Sequence, residues 1–192
     1  MKKSVKVRKE RHFKPHADFY HAVSVHLKHV QEQHAGYYYS LLSALLLSAF
    51  SLEAYLNYVG PLIERGWSDF DRAPTLAKLR HVACVLGVQL DPSRRPFQTI
   101  IELFAFRNRM AHPRDSQVVE EYTSTPEEYQ KRFYTEPRPN WLAFATERNA
   151  RRCYDDVGAT IELLNSKLPQ PEHIPLSSSA WIGSASPEEE NT

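Results

Sequence analysis

Apolar positions recur through most of the chain at steps of three and four residues, and strict two-residue alternation is almost absent, so the pattern predicts helices. The spacing predicts a helix from Asp18 to Gln33, with Gly36 as a break, and a long helix from Tyr37 to Val59, closed by Gly60-Pro61. A third runs from Pro74 to Gly87, with proline suited to its first turn and glycine to its C-terminal end. A fourth spans Pro96 to Ala111 and stops at Pro113. Arg114 to Asn140 is a polar, proline-punctuated connection with room for a short helix near Glu127 to Phe133. The last long helix spans Trp141 to Leu168; Ala150, Cys153, Val157, Ile161, Leu164 and Leu168 mark its apolar face.

Amphipathic helices joined by fairly short links imply an all-α fold, an antiparallel bundle of four to five helices. The Tyr37–Val59 segment is apolar nearly all round and is expected at the centre. Its small residues Ser40, Ala44, Ser48 and Ser51 would admit close neighbours. Leu46, Phe50, Glu53 and Asn57 share one of its stripes, which places a carboxylate among core positions, where it requires a partner.

Composition refines this little: 192 residues suit one domain, and the apolar and charged fractions are ordinary for a soluble protein. Charge matters more by position. Met1 to Lys14 holds seven Lys/Arg against Glu10 alone, a net +6; the whole chain is +1, so the remainder is −5. Residues 1–17 are therefore expected as a flexible basic arm able to hold phosphates, 18–168 as the bundle, and 169–192 as a disordered Pro/Ser-rich acidic tail. Cys84 and Cys153 both lie in apolar helical patterns and read as buried free thiols of a reducing compartment. The basic start lacks a secretory apolar stretch, and Leu41 to Phe50 is too short to span a bilayer. A cytoplasmic protein that engages no membrane is expected.

The fourth helix ends in FRNRMAHP, Phe106 to Pro113. On a helical wheel Phe97, Ile100, Ile101, Phe104 and Ala111 cluster on one face, with Asn108 in its middle, Arg107 and His112 flanking, and Arg109 outward. Glu53 is the obvious partner for Arg107. His112 precedes proline and is expected to leave the helix there. An imidazole that moves protons near neutral pH beside a fixed guanidinium suits chemistry on a phosphodiester. Leu103, Phe106 and Met110 form a further apolar strip off this face; either a twin subunit or the Arg114–Asn140 connection would cover it.

Arg107-Asn108-Arg109-Met110-Ala111-His112, with the acid-bearing helix segment FSLEAYLN (Phe50 to Asn57), resembles the HEPN family, whose signature is Arg, a polar residue and His five positions after the Arg. The resemblance covers roughly Tyr37 to Leu168. It implies a HEPN-like helical bundle that dimerises and brings two Arg/His motifs into one cleft. It also implies a metal-independent RNA endonuclease, of the toxin, phage-defence or CRISPR-linked kind, in which the 2′-hydroxyl attacks the adjacent phosphate. Arg107, Asn108 and His112 would then be catalytic, Glu53 and Asn57 supporting, and Arg109 and Arg114 additional RNA contacts. The implied partners are RNA, a second copy and an antitoxin protein; no metal or other cofactor is implied. Arg114 stands where toxins controlled by nucleotidyltransferases commonly carry the modified tyrosine, so that control is not expected. The alternative is a non-catalytic HEPN-like module for dimerisation or for binding protein, nucleotide or RNA.

Other clusters point less far. His12/His16 and His26/His29 have chelating spacings but no cysteine and few acids nearby, and exposed helix-face histidines are expected instead. Tyr37, Tyr38 and Tyr39 point three ways on a helix and read as packing, and no phosphate-cradling glycine loop occurs.

Overall fold

The computed structural model describes residues 5–11, 13–32, 35–70, 72–112, 117–132, 139–177 and 181–187. They are mostly helical: α1 (Pro15–Gln31), α2 (Tyr37–Ile63), α3 (Thr75–Val85), α4 (Phe97–Ala111), α5 (Pro126–Arg132) and α6 (Glu147–Asn165). Short 3-10 helices span Trp67–Phe70 and Asn140–Phe144, and two strands, β1 (Val5–Arg11) and β2 (Trp181–Pro187), lie near the chain ends.

The expected central helix is central: α2 packs against α1, α3, α4 and α6. Leu45, Leu52 and Leu56 are wholly buried, and each such side chain contributes about 1.5–3 kcal/mol by leaving water. Buried Ala44, Ser48 and Ser51 keep the neighbours close; the Ser48 hydroxyl donates to the Ala44 carbonyl (2.8 Å) and that of Ser51 to the His16 carbonyl (2.8 Å). By length and composition alone α2 would suit a bilayer crossing, but here it is the core helix around which four others pack. All six apolar positions read on the last helix are buried.

Two boundaries differ from the pattern, each for a local reason. Gly60-Pro61 does not end α2, which runs on to Ile63. Proline this near a helix end forfeits one backbone bond, and the Glu64 N–H still closes on the Gly60 carbonyl (3.0 Å). Gly60 serves packing instead: a Cβ there would lie 2.0 Å from the buried Trp67 indole. The Trp141–Leu168 segment divides at Ala145, and α6 starts one residue past Thr146, whose hydroxyl accepts from the Asn149 N–H (3.2 Å).

The two expected tails are also partly ordered. β1 and β2 pair antiparallel in a register that runs from Val5 opposite Pro187 to Arg11 opposite Trp181. Pro15 opens α1, and His16 and Ala17 are wholly buried, so packed structure begins inside the stretch expected as an arm. After α6, Glu172 and Pro175 fold back on α1 and α2. The polar Ser/Pro composition concealed this because single side chains, not an apolar period, make the contacts. The acidic run Glu188 to Glu190 lies outside the described residues.

Candidate functional site

The structure turns α4 from the expected orientation. Because α4 packs on both α2 and α6, its buried residues are Phe97, Thr99, Ile100, Leu103, Phe104 and Phe106, while Ile101, Asn108 and Ala111 are exposed. On the wheel the middle of this arc falls near Arg107 rather than Asn108. The apolar strip is accordingly internal. Leu103 and Phe106 are buried, and the Phe106 ring meets Phe144 of the second 3-10 helix at 5.3 Å. That strip no longer argues for a twin subunit.

Arg107 is the inward polar residue, and α2 meets it from one side. Its Nη2 donates to Glu53 Oε2 at 3.1 Å, and its guanidinium carbon lies 5.7 Å from the centroid of the Phe50 ring. Nη1 donates to Asn108 Oδ1 at 3.2 Å. Phe50 and Glu53 stand three apart on α2 and so present one edge to the cation. That edge is only half-buried: the Arg107 and Glu53 side chains retain 27% and 28% of their exposure. Glu53 therefore sits at the margin of the core, where pairing costs little desolvation.

His112 ends α4 as its place before Pro113 predicts. Its φ of −130° and ψ of 55° are not helical, although its N–H still reaches the Asn108 carbonyl (3.1 Å). The imidazole is exposed, and among the described residues it has no hydrogen-bond or ion-pair partner. Arg107, Asn108 and Glu53 are thus brought together, and His112 stands at the same helix end with no bond to them. Arg109 points into solvent as expected, and Arg114 lies outside the described residues.

Asn57 is engaged elsewhere. One turn past Glu53, its Oδ1 accepts from Nζ of Lys78 on α3 at 2.7 Å. Lys78 is only 2% exposed, and the sequence reading passed over it. The signal was present: Thr75, Lys78, Leu79 and Val82 form one buried arc of α3, so a lysine occurs among core positions. The edge of α2 thereby receives one cation from α4 and one from α3.

A second polar cluster ties the segment after α6 to the bundle. Glu172 accepts from Lys14 Nζ (2.6 Å) and from the Tyr58 hydroxyl (2.5 Å), and its backbone exchanges hydrogen bonds with the Asn165 amide. Beneath it, His16 is wholly buried, stacks on Tyr58 and bonds the Pro175 carbonyl through Nε2 (3.0 Å). Since a carbonyl can only accept, Nε2 carries a proton and is the donor in this bond. His16 is therefore not the exposed helix-face histidine expected. Burial pushes its pKa down, beyond what the Pro175 bond and Glu172 restore. For Glu172, burial pushes up, but the bonds from Lys14 and Tyr58 outweigh it and hold the carboxyl below its ordinary value. The same bond, with burial second, pushes Tyr58 up to about 12.

Of the two thiols, Cys153 is buried as expected, which pushes it up to about 12, whereas Cys84 is exposed on the outer side of α3. Among the described residues no three His, Cys, Asp or Glu side chains converge as metal ligands, and the His26 and His29 rings meet edge to face at 6.3 Å. No known family model, curated protein or solved structure matches the chain.

Proposed function

We propose that the chain is a HEPN-like endoribonuclease whose reaction uses the end of α4. The observation that carries this reading is the pinned yet half-open Arg107, held by Glu53 and Phe50 at the helix end where the exposed His112 leaves helical geometry. A guanidinium fixed on one side keeps its remaining donors for phosphate oxygens and for the charge that builds on them. The RNA 2′-hydroxyl attacks the adjacent phosphorus and the 5′-oxygen leaves with the bonding pair, giving a 2′,3′-cyclic phosphate. His112 moves a proton to or from these oxygens near neutral pH. Asn108 orients Arg107, and Arg109 and Arg114 add phosphate contacts. In this reading a second copy completes the cleft, and a protein antitoxin is the fitting regulator.

One observation favours the non-catalytic alternative: no hydrogen bond links His112 to Arg107. On that reading the same helix end binds RNA, nucleotide or protein without chemistry. Incubation of the wild type and His112→Ala with total RNA in EDTA separates the two. Cleavage by the wild type alone, with cyclic-phosphate ends, is expected. Equal inertness of both proteins would leave only the binding module.

A further inference from the structure

α3 and α4 are joined by residues 86–96 and pack only loosely on each other, while each packs on α2. Between them lies a cavity of about 270 Å³, open to solvent. Leu76 and Leu79 line it from α3, Leu90 and Pro92 from the connection, and Phe97 and Ile101 from α4. Arg80 is the one charged residue in this lining. It is exposed, and among the described residues its guanidinium has no hydrogen-bond or ion-pair partner.

The dimensions select the occupant. Each helix contributes a single turn to the lining, Leu76 to Arg80 and Phe97 to Ile101, which is about 6 Å of helix axis. A docking helix needs a groove that takes anchors at i, i+4 and i+7, about 10 Å along its axis. The cavity is too short for that, and its volume falls just below the roughly 300 Å³ at which sites for drug-sized molecules begin, which suits a smaller ligand. Apolar walls with one unneutralised cation match a molecule with an apolar body and one negative end. A neutral hydrocarbon would leave Arg80 unused, and a cation would be repelled by it.

We infer that the α3–α4 cavity is a binding site for a small amphipathic carboxylate, with its aliphatic chain against Leu79, Phe97 and Ile101 and its carboxylate on Arg80. The site is separate from the proposed nuclease chemistry and stands whether or not RNA is cleaved. Its occupant rests on Ile101 of the same helix that carries Arg107.

Octanoate is a suitable probe, titrated into the full chain while the methyl resonances of Leu76, Leu79, Leu90 and Ile101 are followed. Saturable one-to-one shifts confined to these methyls are expected, with a dissociation constant of about millimolar order for so small a ligand. Octan-1-ol should bind roughly two- to fivefold more weakly, the size of an exposed charge contact, and Arg80→Gln should erase that preference. Ile101→Trp, at an exposed position on the cavity mouth, should block both ligands while leaving the circular dichroism spectrum unchanged. Non-saturating shifts, shifts spread over the surface, or equal binding of octanoate and octan-1-ol to the wild type would overturn the assignment.

Discussion

Arg107 is held from several directions, and its contacts are unequal in weight. Glu53 supplies the opposite charge, Phe50 a ring face, and Asn108 a neutral amide oxygen at a longer distance than Glu53. Glu53→Gln keeps an acceptor but removes the charge, and since the pair is partly solvated the folded state should lose less than about 1 kcal/mol. Any phosphodiesterase activity should fall much further than stability does. Comparing urea midpoints with cleavage rates checks this, and proportional losses would reduce Glu53 to a packing role. A second residue gives a sharper sign. Gly60→Ala should favour the helix by about 1 kcal/mol on propensity alone. The added methyl would meet the Trp67 ring system at 2.0 Å, where neither partner can retreat freely, and overpacking costs typically 1–3 kcal/mol. A net loss of up to about 2 kcal/mol in urea unfolding is expected; a gain would mean that Trp67 repacks at will.

Between elements, the segment after α6 acts as a strap over the junction of α1 and α2, and its key groups titrate. Above its ordinary value of 6.5, His16 is neutral whether folded or unfolded and contributes no pH dependence. Below it the unfolded chain takes up the proton first, because burial depresses the folded value, so stability falls with pH. Glu172 adds to the trend lower down: its contribution is full above its ordinary 4.5 and is lost as pH drops through its lower folded value. Melting temperature should thus decline from pH 7 to 5 and more steeply below 4.5. His16→Gln should flatten the upper part, leaving the share due to His26, which burial also depresses. An unchanged slope would mean that the buried imidazole does not resist protonation.

At this scale the sequence was informative where periodicity governs. The α6 face from Ala150 to Leu168 and the central place of α2 were legible because repeated apolar steps survive any detail of packing. The rotation of α4 was not, since two helices cover it and a single-faced wheel assumes one. That error moved Asn108 inward and Phe106 outward. The pairing of Glu53 with Arg107 was foreseen, because a carboxylate among apolar neighbours admits few partners. Lys78 was missed although it shares the arc of Thr75, Leu79 and Val82, because a lysine is ordinarily a surface residue. Glu172 was missed because no apolar period marks its segment and its partners, Lys14 and Tyr58, lie far off in sequence.

For the whole molecule, the strap and the strands make separable contributions. β1 and β2 contact each other far more than they contact any helix, and a two-stranded ribbon is at best marginally stable by itself. A chain ending at Ser177 should therefore melt within a few degrees of the full protein. A chain ending at Leu168 also loses Glu172 and Pro175, uncovers His16 and removes the Glu172 carboxylate from Lys14 and Tyr58. It should lose roughly 2–4 kcal/mol, the combined scale of a broken charged hydrogen-bond network. Similar melting of the two truncated chains would deny the strap any stabilising role.

The pairing of Val5 with Pro187 also means that the first and last described segments, β1 and β2, meet side by side. The linear order of the polypeptide is then not essential to its packing. A short peptide link could join Pro187 to Val5, and the chain could be reopened in the exposed connection between α4 and α5, around residues 119–123. A circularly permuted protein made this way should recover the same helical core, with α4 closing the sequence instead of lying in its middle.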